Sequence, residues 1–472
     1  MTTEDLFIIA IELGSSNVTG IAGKRMPDGS ISVQTVVQEP SPMFIRRGMI
    51  FNLTKSAQSV KSIIERLEGR LKRNITQVYV GYGGQSLRSM VNTVSMPLGG
   101  EVPITKEQVD QLLNDNLNVD LGNHSILDVV PQEYTAGKEK SNDPVGIIAD
   151  RLEGRYLNII ARNSLKTNIE ACFSQAGIHV AGYQIIPISE ADLLLSEAEK
   201  RSGCVFVDFG ADTTSVVIYK DNILRYIAVI PLGSANITKD LMSCQLDENE
   251  AEHLKISIGS ADNEGMTLDQ GKEIVAQLPD HTGLTKLKLC EIVEARANEI
   301  LINVAQQIKE SGMDKTSLIG GAVLAGGGSN LRNLASAFTK ATGISQIRQA
   351  KTVSSVHFAK NAVAKLPEDR LVAAISLIDG GVQNCCGPEF GENHGDIFSG
   401  PDGQTALGGT APNPVPATPE GGAAGNSPNG NGAETEEDAN EGGKRTGKGP
   451  SKIRKFGHWL KGIGNQIVGE DE

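Results

Sequence analysis

The sequence predicts an α/β protein of two related halves, with an α+β subdomain inserted into the first, followed by a linker and an amphipathic tail. Three observations carry this reading. Residues 1–386 alternate short apolar runs with helix-spaced patterns, glycines marking the turns. Two blocks within that region share one plan, and beyond residue 386 the composition changes abruptly.

The first block opens with FIIAIEL, an uninterrupted apolar run of strand length at residues 7–13. It turns through Gly14, Ser15, Ser16 and Asn17 and resumes at residues 18–22. The second block runs CVFVD at 204–208, turns through Gly210, Ala211, Asp212, Thr213 and Thr214, and resumes at 215–219. Each reads as a β-hairpin whose turn is built from Gly, Ser, Thr and Asx, residues that tolerate or stabilise tight backbone. A third unit, the strand 322–325, ends in Gly326, Gly327, Gly328, Ser329 and Asn330 and continues as a helix over 331–342. Between the first two blocks, helical spacing at 56–71 and strand patterns at 77–80, 128–133 and 156–161 predict a separate α+β unit at about residues 46–160.

From residue 387 to 450 the chain is rich in Gly, Pro, Asn, Ala and Glu and nearly free of aliphatic side chains. Such a stretch buries too little apolar surface to offset chain entropy and reads as a disordered linker. As a flexible coil it would span roughly 40–50 Å. Apolar and basic residues return over 451–472, where Ile453, Phe456, Trp459, Leu460, Ile463 and Ile467 fall on one helical stripe flanked by Lys452, Arg454, Lys455 and Lys461. The chain's one tryptophan lies in that stripe. The pattern predicts a helix lying in the interface of an anionic lipid membrane; the plainer alternative is a helix docking on protein. Lysines near anionic lipid contribute ~1 kcal/mol each, while Gly457, Gly462 and Gly464 weaken the helix by up to ~1 kcal/mol apiece. One tail therefore holds a monomer only marginally, and a filament of many tails holds by avidity.

A net charge of −13 opposes a nucleic-acid partner, which requires a basic face. The apolar run starting at Leu6 is too short for a signal peptide, and no run approaches the ~18 residues of a spanning helix. The six cysteines form no C-x-x-C pair, so buried thiols are expected, with adjacent Cys385 and Cys386 the more exposed.

Two such turns make chemical sense if both face one polyphosphate. Backbone N–H groups and small hydroxyls at tight turns approach phosphate oxygens closely. A carboxylate at the end of each strand, Glu12 and Asp208, suits a Mg²⁺ ion held through water. The triple glycine at 326–328 admits a nucleoside against backbone. No G-x-x-x-x-G-K-[ST] motif occurs, which excludes a P-loop NTPase. A single such turn is ordinarily a plain hairpin; the three in this order point to one nucleotide cleft.

Taken together, the motifs resemble the actin/hexokinase/heat-shock-chaperone ATPase superfamily and, within it, the FtsA family of bacterial cell-division proteins. The turn at Gly14 resembles the first phosphate motif, that at Asp208 the second, and VLAGGGSN at 323–330 the adenosine motif, including Asn330. RGMI at 47–50, VVPQEY at 129–134, NDPVG at 142–146 and AVIPLG at 228–233, ending in Gly233, are similar to family signatures. AEHLK at 251–255 resembles the segment whose Glu252 and Lys255 flank the adenosine. The resemblance implies an actin-like fold of duplicated ribonuclease H-like domains, ATP and Mg²⁺ as ligands, and at most weak ATPase activity. It also implies filament formation and a subdomain at about residues 240–315 that binds the C-terminal peptide of FtsZ near Arg296. Location at the cytoplasmic face of the inner membrane, at the division septum with other divisome proteins, follows from the same resemblance. Glu12, Ala211, Asp212 and Ser215 depart from the family pattern, and Asp212 would repel phosphate unless it meets a cation or points away. Glu190 and Asp192 read as carboxylates at a helix start. A PilM-like pilus-assembly protein and a small-molecule kinase are the alternative readings; the tail and VVPQEY favour FtsA.

Overall fold

The computed structural model describes residues 6–389, except 101, 280, 351–354, 360, 361 and 363–366. The linker and tail residues Ile453, Phe456, Trp459, Leu460, Ile463 and Ile467 lie outside the described residues.

Two sheets repeat one strand order. In the first, Phe7–Leu13, Asn17–Arg25 and Ile31–Pro40 form consecutive antiparallel hairpins, and Gln77–Tyr82 then His179–Ile185 add in parallel beyond Phe7–Leu13. In the second, Cys204–Phe209, Thr214–Lys220 and Ile223–Ile230 are antiparallel, and Gly321–Ala325 then Ile347–Gln349 add in parallel beyond Cys204–Phe209. The duplicated plan read from the two blocks is therefore a duplicated sheet.

Continuous apolar runs form the opening strands because both faces are covered. On the first sheet, the helix Leu53–Leu71 packs Val60, Ile63 and Leu67 into the core; Asn52 caps it by accepting from Lys55 N–H (3.1 Å). The helices Ile186–Leu194 and Val372–Asp379 fill the space between the sheets, so that Ala191, Ile375 and Ile378 share one apolar cluster with Ile9, Phe206 and Val217. The other face of the second sheet, with Val205, Val207 and Val216, is covered by Ser234–Met242 and Lys286–Glu310 through Ile237, Val293, Ala297 and Leu301.

The insertion starts later than composition indicated. The helix Leu53–Leu71 and strand Gln77–Tyr82 belong to the first sheet, since their apolar faces close its core and Ile11 pairs in register with Val80. What protrudes is the unit of Arg88–Pro97, Lys106–Leu117, His124–Ala136, Glu139–Ser141 and Arg151–Arg162, with a core of its own around Leu112, Leu152 and Tyr156. It joins the edge of the second sheet where Arg88 pairs with Ala228.

Three further readings are corrected. The helix after the glycines begins at Leu334, because Gly327–Asn330 forms a 3₁₀ turn and Asn333 takes φ 57°. Cys385 and Cys386 are buried against the first sheet, Cys385 N–H donating to the Phe7 carbonyl (2.8 Å), while Cys244 is the partly exposed thiol. The linker read from residue 387 gives its first residues to a strand, since Cys386–Glu389 pairs with Arg73–Ile75.

Candidate functional site

Strand pairing brings the two hairpin turns together. Glu12 stands opposite Thr19 near the end of Phe7–Leu13, and Asp208 opposite Ser215 near the end of Cys204–Phe209. Both sit at strand ends that open on one cleft of about 360 Å³ between the sheets. Its walls include Gly14, Ser15, Ser16 and Asn17 from the first turn and Gly210 and Thr213 from the second. Gly326, Gly327, Gly328 and Asn330 close a third side, with Glu252 and Lys255 beside them. That volume lies within the range of ordinary ligand pockets.

Each wall has a local cause. The first turn is held from outside: Ser41 Oγ donates to the Gly14 carbonyl (2.6 Å), and Gly48 N–H donates to Ser15 Oγ (2.9 Å). The second turn closes through Gly210 N–H on the Thr213 carbonyl (2.9 Å) and is backed by the start of Ser234–Met242, where Ser234 N–H donates to Gly210 O (3.0 Å) and Ala235 N–H to Ala211 O (2.8 Å). Gly326 has φ 81°, and a Cβ there would lie 2.2 Å from Asp208 Oδ1, so only glycine lets the third strand end against that carboxylate.

The charged groups sort into two clusters. Deep in the cleft lie Glu12, Asp208 and Glu190, the last on Ile186–Leu194 and buried with Oε2 unpartnered. Burial pushes the Glu12 carboxyl up to about 7, with the charge of Asp208 adding to the rise and the Thr19 hydroxyl opposing it. Burial likewise raises Asp208 to about 6 and, with the charges of Asp208 and Glu12, lifts Glu190 well above the usual carboxylate range. Three carboxylates converging in a low-dielectric recess disfavour their own ionisation, the electrostatics a hard cation would relieve. Among the described residues no group of three or more His, Cys, Asp or Glu side chains is arranged to hold a metal directly. At the other end Lys255 is buried, with Nζ donating to Glu252 Oε2 (2.6 Å), Thr238 Oγ1 (3.0 Å) and the Ser234 carbonyl (3.3 Å). Burial alone would raise the Glu252 carboxyl, but hydrogen bonds from Lys255 and Thr238 outweigh it and leave it below its usual range.

Three residues expected at the cleft lie elsewhere. Asp212 does not line the cleft: Oδ2 accepts from Arg47 N–H (3.2 Å), and Lys239 Nζ lies 3.8 Å from Oδ1. Thr214 is fully buried and donates to the Leu232 carbonyl (2.9 Å), because the strand alternation turns it into the protein. Gly233 stands behind the second turn, where a Cβ would lie 2.4 Å from the Ala211 carbonyl oxygen; it sets the close approach of helix and turn. Arg296, remote from the cleft, makes a two-point ion pair with Asp240 (Nε–Oδ2 2.5 Å, Nη2–Oδ1 3.0 Å) and also meets Glu299. Asp192 is outside as well, accepting from the Tyr219 hydroxyl (2.7 Å).

Sequence pattern gave no sign of other lining residues. Asp369 is buried, accepts from Asn330 Nδ2 and leaves Oδ1 unpartnered, while Arg370 lies beside it on the wall. Both sit in a charged run that reads as solvated surface. Glu190 carried one legible signal, its place on the helix after Ile185, Ile186 and Pro187.

Comparison with known proteins agrees with this geometry. The family model described as "Cell division protein FtsA" matches residues 205–369, and that of the "SHS2 domain inserted in FTSA" matches 84–160, which spans the protruding unit. The cell division protein FtsA of Porphyromonas gingivalis is 31% identical over 391 residues, 82% of this chain and 80% of that protein. The FtsA proteins of Bacillus subtilis (27% identical, 69% and 74% covered) and Escherichia coli (26%, 71% and 81%) are similar at greater distance. Among solved structures, a PilM–PilN type IV pilus biogenesis complex superposes with a TM-score of 0.54 at 17% identity, covering 79% of this chain and 97% of that one. The fold is actin-like, two sheets of one strand order with the inserted subdomain between their sequences.

Proposed function

Because the chain belongs to the FtsA family of cell division proteins, we propose that it binds ATP with Mg²⁺ in the cleft between its sheets, polymerises on the membrane and anchors FtsZ there. The observation that carries the nucleotide part is the convergence of the turns at 14–17 and 210–213 on one cleft, with strand-end carboxylates below them. In this reading Ser15, Ser16, Asn17 and Thr213 hold phosphate oxygens. Glu252, Lys255, Asn330 and the glycines 326–328 hold the nucleoside. Glu12 and Asp208 orient the water shell of the cation, which when bound neutralises phosphate charge. A fluorescent ATP analogue titrated with and without Mg²⁺ tests it; binding indifferent to Asp208→Asn would overturn it.

A scaffold with at most weak ATPase activity is the reading that family membership favours over a fast enzyme. Family membership also weighs against a kinase or a pilus-assembly role, since the PilM likeness extends only to the fold.

Attachment is assigned to Ile453, Phe456, Trp459, Leu460, Ile463 and Ile467, the apolar stripe of the basic C-terminal segment, and location to the cytoplasmic face of the inner membrane at the septum. Flotation of the full chain with anionic liposomes should fail for the double substitution Phe456→Glu, Trp459→Glu; equal flotation would remove the anchor. The FtsZ tail peptide is assigned to the helices around residues 240–315, with later divisome proteins binding elsewhere. Three of the five N–H donors of the Arg296 guanidinium are already engaged by Asp240 and Glu299, which leaves two for a peptide carboxylate. Arg296→Ala should weaken peptide binding roughly 10-fold, the worth of one charged hydrogen-bonded contact; unchanged affinity would move the peptide site.

A further inference from the structure

One two-residue turn beside the cleft gathers contacts from both hairpin turns and from the entry to the insertion. Arg47 and Gly48 join the short strands Ile45–Arg46 and Met49–Ile50, and both take positive φ, 50° and 69°. Gly48 N–H donates to Ser15 Oγ in the first hairpin turn, and Arg47 N–H donates to Asp212 Oδ2 in the second. The Arg47 carbonyl accepts from Gln85 N–H (3.0 Å), just ahead of the first inserted strand, Arg88–Pro97. There the two backbones touch: a Cβ on Gly48 would lie 2.5 Å from Gly84 Cα, and one on Gly84 2.8 Å from Gly48 O. On Asn163–Ala176, the helix that follows the insertion, Asn168 Nδ2 donates to the Ile50 carbonyl (3.1 Å). The turn thus meets both phosphate-side turns and the entry to the inserted subdomain, and the strand after it meets the helix that follows the insertion.

We infer that Asp212 is a clasp between the two halves, tying the second hairpin turn to Arg47 and so passing closure of the cleft to the inserted subdomain. The coupling to ligand rests on the cleft being the nucleotide site proposed above. Three features support it. The carboxylate faces Arg47 and Lys239 and not the cleft, so a bound polyphosphate does not meet it at close range. Ser15 accepts from Gly48 and keeps its own hydroxyl proton, which a phosphate oxygen can take without breaking that bond. A filled cleft and a closed clasp are therefore compatible, and opening the cleft to release ligand has to pull Asp212 from Arg47.

Hydrogen–deuterium exchange on the ligand-free full-length protein tests the clasp directly. Asp212→Ala should speed exchange in segments 45–50 and 83–89 by about 10-fold, and Asp212→Asn, whose Oδ1 accepts the same bond, should restore most of the protection. Release of a fluorescent ATP analogue should accelerate in Asp212→Ala by a similar factor and stay near the wild-type rate in Asp212→Asn. Unchanged exchange in Asp212→Ala would overturn the clasp. Equal losses in both variants would overturn it too, since the charge facing Lys239 would then be the cause. A wild type that binds no nucleotide would overturn the site reading, while the exchange comparison still decides the clasp.

Discussion

The two hairpin turns occupy equivalent places in two sheets of one strand order, yet they are held by different means. The first is braced by side chains and amides from its own half, Ser41 on Gly14 and Gly48 on Ser15. The second is braced by backbone, with the start of Ser234–Met242 on Gly210 and Ala211 and the end of Gly321–Ala325 against Asp208. Duplication fixed where the strand-end carboxylates stand. It did not fix what the turn apices do: Ser15 answers to Gly48 of its own half, and Asp212 to Arg47 of the other half and Lys239 of its own. Ser15 faces the cleft; Asp212 faces out.

If backbone packing is what holds the second turn, the largest effect belongs to Gly326. Gly326→Val places a branched Cβ 2.2 Å from Asp208 Oδ1 at φ 81°. The backbone must shift, and affinity for a nucleotide analogue should fall roughly 100-fold or more, equivalent to about 2.7 kcal/mol. Gly69→Ala, exposed on Leu53–Leu71 and away from the cleft, meets nothing within 4 Å and should bind as wild type. Equal losses in the two variants would break the contrast between the turns.

The strand-end carboxylates give a medium-sized effect with a definite sign. Glu12 has its pKa raised from 4.5 to about 7 and Asp208 from 3.8 to about 6. The folded, ligand-free protein then holds protons that the unfolded chain has released. Their contribution is fully present below pH 3.8 and is lost as pH rises through about 6 and 7. Thermal melts without metal should therefore fall between pH 5 and 8 by about 1–3 kcal/mol of stability, after discounting for solvent in the open cleft. Glu12→Gln should flatten that slope, and so should saturating Mg²⁺ with nucleotide. A wild-type melt independent of pH over this window would contradict the raised values.

How much of this was legible in the sequence follows from what each signal depends on. The opening strands, Leu53–Leu71 and the two turns were readable because apolar runs, helical spacing and turn residues are local properties. The duplicated order of the sheets followed from the repeated block. The start of the insertion was not readable, since Gln77–Tyr82 has the pattern of a buried strand in either unit and only its pairing with Ile11 decides. The same holds within the site. Glycines and strand-end acids announced themselves, whereas Glu190 and Asp369 reach the cleft from elements whose docking is tertiary. Thr214 and Asp212 share the second turn with Thr213, yet Thr214 opens the strand Thr214–Lys220 and points into the protein, while Asp212 at the apex meets Arg47.

That last point carries the smallest and cleanest effect. Thr214 Oγ1 donates to the Leu232 carbonyl (2.9 Å) from a fully buried position, at the base of the second turn. Thr214→Val keeps the shape and deletes the donor, leaving a half-buried carbonyl short of one partner. The cost should be about 1 kcal/mol of stability by denaturant melt, with nucleotide affinity unchanged. Thr213→Val one residue earlier should do the reverse, sparing stability and weakening phosphate binding, because that side chain lines the cleft. Were Thr214→Val to lose affinity with its stability intact, the face assignment of the second turn would be wrong, and with it the contrast drawn with the first.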